Sequence, residues 1–171
     1  MRRKLTCAVL LSAGIMATAL FLARPVMATP PDGFTSTTIA QGQFAEIKAL
    51  SQFRQPNPPH LWRSRQRTRG LSDGSILNNV WQVGGTTGWH THLGHTLIIV
   101  TAGTVTAYEG NDPSCTPHVY TAGMTFVDEG GDHVHIVRNE GDVEAQVIAV
   151  RLIPTGQPGR IDSPAPGNCP F

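Results

Sequence analysis

The sequence is poor in helical signals. No long stretch repeats apolar residues at i, i+3, i+4 and i+7, which argues against a helical domain. It contains no phosphate-binding loop and no nucleic-acid signature. Those absences turn attention away from nucleotide hydrolases and nucleic-acid partners. Cysteine is scarce, at three residues. Basic charge is not in surplus either, as the leader segment makes clear.

Residues 1–28 read as a secretory signal peptide. Arg2, Arg3 and Lys4 precede an apolar run from Leu5 to Ala23, and Val26 and Ala28 give a small-residue exit before Thr29. The alternative is an uncleaved membrane anchor, since the run is long enough to span a bilayer. Export implies a periplasmic or extracellular protein with no membrane association once the signal is cut. Without Arg2, Arg3, Lys4 and Arg24, nine basic residues of the thirteen face twelve acidic ones, a net charge near −3. That balance gives no general pull toward nucleic acid or acidic membranes. Two cysteines remain, Cys115 and Cys169. In an exported chain they are most simply a disulfide, with two free thiols as the alternative.

What the mature chain does contain is short runs of β-branched and aromatic residues between Gly, Pro, Asn and Asp. Strands are expected at 36–40, 44–50, 76–83, 95–102, 104–110, 118–123, 124–128, 133–139 and 143–153. Such spacing indicates an all-β sandwich or barrel in a single domain. "EGND" (109–112) and "NEGD" (139–142) suit hairpin turns. Prolines argue against a central strand at the start of 51–74. Arg63, Arg65, Arg67 and Arg69 then alternate and share one side if extended. They read as a solvated face, an anion-facing strip or a guard on an edge strand.

Histidine is concentrated. "GWHTHLGHT" (88–96) carries His90, His92 and His95, and "GDHVHIVRN" (131–139) carries His133 and His135. On a strand H-x-H puts both rings on one face, because side chains alternate with period two. His90 and His92 can therefore grip one metal ion, and His133 or His135 can complete the site from a neighbouring strand. His95 has the opposite parity and is expected at the rim. His60 and His118 read as ordinary surface or structural residues.

These residues resemble the two motifs of the cupins. His90, His92 and Gly103 match the first motif, and His135 and Asn139 match the second. The resemblance spans about residues 76–153. It leaves 29–75 as N-terminal strands with a basic loop and 154–171 as a C-terminal tail. It implies a cupin-type jelly-roll β-barrel with a metal inside the barrel mouth, and pairing of two copies through an edge strand.

One motif position departs. The first-motif glutamate falls at position 96, where this chain has Thr96. The implied ligand set is thus His90, His92 and His135 without a carboxylate. Three-histidine centres are similar to those of thiol, diketone-cleaving and ring-cleaving dioxygenases. Fe, Zn, Mn, Ni and Cu are all compatible with imidazole ligands. His133 is then the acid–base candidate. His95, Thr96, Trp81, Met124 and Phe126 are candidates for the surroundings of the site and the cavity wall. Three readings follow. One is a metal-dependent oxygenase acting on a small molecule, one is a non-catalytic metal or small-ligand binder, and one is a zinc hydrolase. A degenerate cupin without metal is the bland alternative.

Overall fold

The computed structural model describes residues 27–171. Apart from Met27 and Ala28, the segment read as a signal peptide lies outside them. Twelve strands occur in chain order: β1 (Asp32–Phe44), β2 (Lys48–Gln55), β3 (His60–Arg67), β4 (Ser72–Thr86), β5 (His90–Thr91), β6 (Thr96–Ala102), β7 (Thr104–Glu109), β8 (His118–Thr121), β9 (Thr125–Asp128), β10 (His135–Arg138), β11 (Ala145–Pro154) and β12 (Ile161–Asp162). There is no helix among the described residues.

Ten strands pair antiparallel in one continuous sheet that folds into two layers. One layer runs β1-β4-β11-β6-β9, and the other runs β12-β5-β10-β7-β8. They join where Arg138 of β10 meets Thr86 at the end of the long β4. This is an all-β, cupin-type jelly roll.

The core lies between the layers. Leu77 and Trp81 of β4, Val147 and Ala149 of β11, and Ile98 and Val100 of β6 face Val105, Ala107 and Val137 from the opposite layer. The period-two pattern explains the assignment. In β6, Thr96, Ile98 and Val100 are buried while Leu97 and Ile99 are exposed. Burial of these branched side chains is the main favourable term that offsets chain entropy.

Both matched motif residues outside the histidines act on the backbone. Gly103 turns the chain between β6 and β7 at φ +65°, and a Cβ there would lie 2.5 Å from the Glu144 carbonyl. Asn139 is buried. Its Nδ2 donates to the carbonyls of Trp81, Gln82 and Val143 at 3.2, 3.1 and 2.8 Å, and its Oδ1 accepts from Gly141 N at 3.0 Å. It thereby ties the β10–β11 turn to β4.

The segment read as proline-interrupted forms a hairpin. β2 and β3 pair only with each other, in register from Lys48↔Arg67 to Gln55↔His60. Arg63, Arg65 and Arg67 lie along β3, and Arg69 follows its end. The strand predicted at 44–50 divides between β1 and β2. The strand predicted at 133–139 begins only at His135. "EGND" opens a longer loop before β8, stapled by the Cys115–Cys169 disulfide to the C-terminal segment. Both cysteines pack against a small second core of Trp89, Tyr108 and Ile136.

Candidate metal centre

Three imidazoles converge at one end of the space between the layers. β5 is only two residues long, His90–Thr91, and His92 follows immediately after it. His135 opens β10 and stands in register opposite His90. The ring centroids are 4.8 Å apart for His90–His92, 4.3 Å for His90–His135 and 5.4 Å for His92–His135. One ligand nitrogen from each lies within 4.8 Å of the other two.

The backbone fixes which nitrogen faces inward. His90 Nδ1 lies 2.9 Å from Gly88 O, His92 Nδ1 2.6 Å from Gly159 O, and His135 Nδ1 3.3 Å from His133 O. A carbonyl can only accept, so each Nδ1 carries the proton and donates it. In the neutral ring that leaves Nε2 as a bare lone pair. Orientation of a ring through its second nitrogen is the usual support of a metal-binding imidazole.

Burial favours the neutral form. It is the first cause that pushes His90 far below the usual imidazole range, with His135 and Arg160 adding to it. Burial likewise pushes His135 down to about 4, against the opposing pull of Asp128. Neutral imidazole is the form that binds a metal ion.

A carboxylate absent from the expected set sits beside the rings. Asp128 ends β9 and is buried. Its Oδ2 is 3.0 Å from His92 Nε2 and 3.4 Å from His135 Nε2. Gly130 N donates to Oδ1 at 3.0 Å. The Oδ2 atom is buried and has no aligned hydrogen-bond partner, and neither does Thr96 Oγ1. Burial pushes the Asp128 carboxyl up, but His92, His135 and the Gly130 amide outweigh it and hold the group below its ordinary value. The strand pattern contained a signal for this residue, since Phe126 and Asp128 share parity on β9.

The other candidates divide between inside and outside. Trp81, Thr96, Phe126 and Asp128 line the same cavity of about 160 Å³ as the three histidines. Trp81 Nε1 also donates to Val137 O at 3.3 Å. His95 lies instead in a depression on the outer face, beside Leu97 and Leu152. Met124 is exposed. His133 does not line the cavity. Its Nε2 is 2.5 Å from Glu109 Oε2, another carboxylate the sequence reading passed over. Burial pushes the Glu109 carboxyl up, with His133 opposing. Among the described residues a second group of close ligand atoms joins Asp128, His133 and His135, so Asp128 borders both clusters.

The family model for the cupin domain matches residues 80–151, which include all three histidines and Asp128. Residues 80–151 are thus identified as a cupin domain. Solved cupin-fold structures resemble this domain at low identity. A cupin-like protein from Thermotoga maritima is 21% identical, with 54% of this chain and 65% of that one covered, at a TM-score of 0.46. A protein with a double-stranded β-helix domain from Klebsiella pneumoniae is 16% identical over 70% of this chain and 84% of that one, at 0.44. An oxalate oxidase is 25% identical over 48% of this chain and spans a like share, 46%, of its own length, at 0.40. The alignment therefore covers less than half of the oxidase chain. No curated protein matches the sequence.

Proposed function

We propose that this chain is an exported cupin that holds one divalent metal ion on His90, His92 and His135 and binds a small molecule beside it. The observation that carries the reading is the convergence of three Nε2 atoms whose rings are each locked by a backbone carbonyl. The residues fit such an ion. Asp128 Oδ2 and Thr96 Oγ1 are buried in the same cavity without partners, and buried polar atoms are rarely left unmatched. Bound there, the ion would supply a Lewis-acid centre with open coordination positions.

The cavity limits the ligand. About 160 Å³ lies below the ~300 Å³ at which ordinary ligand pockets begin. It suits a molecule of a few heavy atoms. Export is supported by the signal-like leader and by the Cys115–Cys169 disulfide, since such bonds persist in oxidising compartments.

The catalytic form of this reading is a dioxygenase-like oxidoreductase, with His133 as acid–base residue. A non-catalytic metal or ligand binder is the second reading. It is favoured by the place of His133, which contacts Glu109 and stands outside the cavity lining. Elemental analysis after export, with manganese, iron and zinc titrations, tests the shared claim. One ion per chain is expected, lost in His90→Ala and in His135→Ala. Absence of bound metal, or metal binding unchanged in both variants, refutes it. Oxygen uptake with thiol, diketone and phenolic compounds then separates enzyme from binder.

A further inference from the structure

We propose that Asp128 is a fourth protein ligand of this centre, a carboxylate supplied from the strand next to the one that carries the motif position. The inference rests on the three-histidine reading above and extends it. Thr96 of β6 and Asp128 of β9 are direct partners in the antiparallel register. Directly opposed residues place their Cβ atoms about 5 Å apart on the same face. Both side chains are buried and both line the histidine cavity. A carboxylate lost at position 96 can thus be replaced, from across the pair, in nearly the same space.

The contacts around Asp128 suit a metal ligand. In the neutral rings His92 Nε2 and His135 Nε2 are bare lone pairs, because both Nδ1 atoms donate to carbonyls. They face Asp128 Oδ2 at 3.0 and 3.4 Å. Two acceptors at that distance repel unless a cation or proton lies between them. The Asp128 Oδ2 atom has no aligned donor. Ligand atoms bound about 2.1 Å from one ion are about 3.0 to 3.4 Å apart at octahedral to tetrahedral angles, which matches both separations.

The carboxylate is also held for the task. Gly130 N donates to Oδ1 and leaves Oδ2 free to point at the rings. Gly130 sits at φ +71°, and a Cβ on it would lie 2.5 Å from Gly94 O and 2.9 Å from His92 O. The turn after Asp128 is therefore pressed against the loop that carries His92. An oxygen donor changes what the centre is. It lowers the charge of the bound ion's surroundings by one and shifts preference toward harder ions such as manganese or iron.

The test uses the chain as exported, with cobalt(II) absorption and manganese(II) calorimetry as readouts. Asp128→Asn keeps the side-chain shape and should lower manganese affinity at least about a hundredfold, with a displaced cobalt band. The double variant Thr96→Glu/Asp128→Ala returns the carboxylate to β6 and should recover most of that affinity. The double variant also decides the case if Asp128→Asn fails to fold. If the wild type binds metal, His90→Ala loses it, and Asp128→Asn keeps the wild-type affinity and spectrum, Asp128 is not a ligand and the three-histidine centre stands. If the wild type binds no metal, the three-histidine reading falls and this inference with it.

Discussion

His135 stands directly opposite His90 across β10 and β5, with ring centroids 4.3 Å apart. Two imidazoles this close cannot both charge without mutual repulsion, and burial already opposes charging either one. The unfolded chain takes up protons on these histidines near the ordinary value of 6.5, and the folded chain does not until far lower pH. Stability is therefore full above about pH 6.5 and declines as pH falls from there through about 4. Melting temperatures measured from pH 7.5 to 4 should show that decline in the metal-free protein. His135→Gln should make it shallower, leaving the part that the buried His90 carries. A profile that is level to pH 4 contradicts the picture.

Metal and protons compete for the same Nε2 atoms. Adding the ion at pH 7 should raise the melting temperature, and the gain should hold until pH nears about 4, where His135 takes up a proton in the folded chain. Chelation at pH 7 should abolish the gain without unfolding the barrel. The branched core between the layers, Val100, Val105 and Val147 included, is built without the ion. Calorimetric scans with and without chelator check both statements.

Asn139 serves three carbonyls and one amide. Replacing it with alanine leaves several buried groups unmatched and should cost about 2–4 kcal/mol. Asn139→Asp should be no milder, because it removes the donor and buries a charge. Urea unfolding curves give the difference. A loss under about 0.5 kcal/mol, the range of ordinary surface substitutions, would show that the turn does not depend on this side chain.

Gly103→Ala combines a left-handed backbone with a clash against Glu144 O. It should destabilise the β6–β7 turn by about 1–3 kcal/mol. Because Gly103 is remote from the rings in the chain and lies outside the cavity lining, metal affinity per folded molecule should stay at the wild-type value. Unfolding curves and metal titrations on the same sample separate the two effects.

The Cys115–Cys169 bond closes a 54-residue separation and packs on Trp89, Tyr108 and Ile136. Cys115→Ser together with Cys169→Ser should cost about 2–5 kcal/mol of stability. An unaltered unfolding midpoint would mean that the bond adds nothing to the fold.

How much was legible varied with the physics involved. The strands of the core barrel were readable because burial on one face imposes period two on β6 and β11. The short β5 and β12 were not, since two residues carry no period. The opposite parity of His95 was readable, and the ring lies on the outer face. The place of His133 was not. It precedes β10 instead of starting it, so its parity with His135 did not set its direction, and Glu109 from β7 took the ring.

The sequence by itself determined the all-β class, the paired histidine motifs and the vacancy of the glutamate position at Thr96. These follow from local rules of side-chain alternation and motif spacing within short stretches. Only the tertiary structure decided what stands in that vacancy. Thr96 and Asp128 are 32 positions apart in the chain, and the register of β6 against β9 makes them neighbours. Register is a long-range outcome of packing one face of every strand into a shared core, so local parity can turn Asp128 inward with Phe126 but does not say that it will meet the three rings.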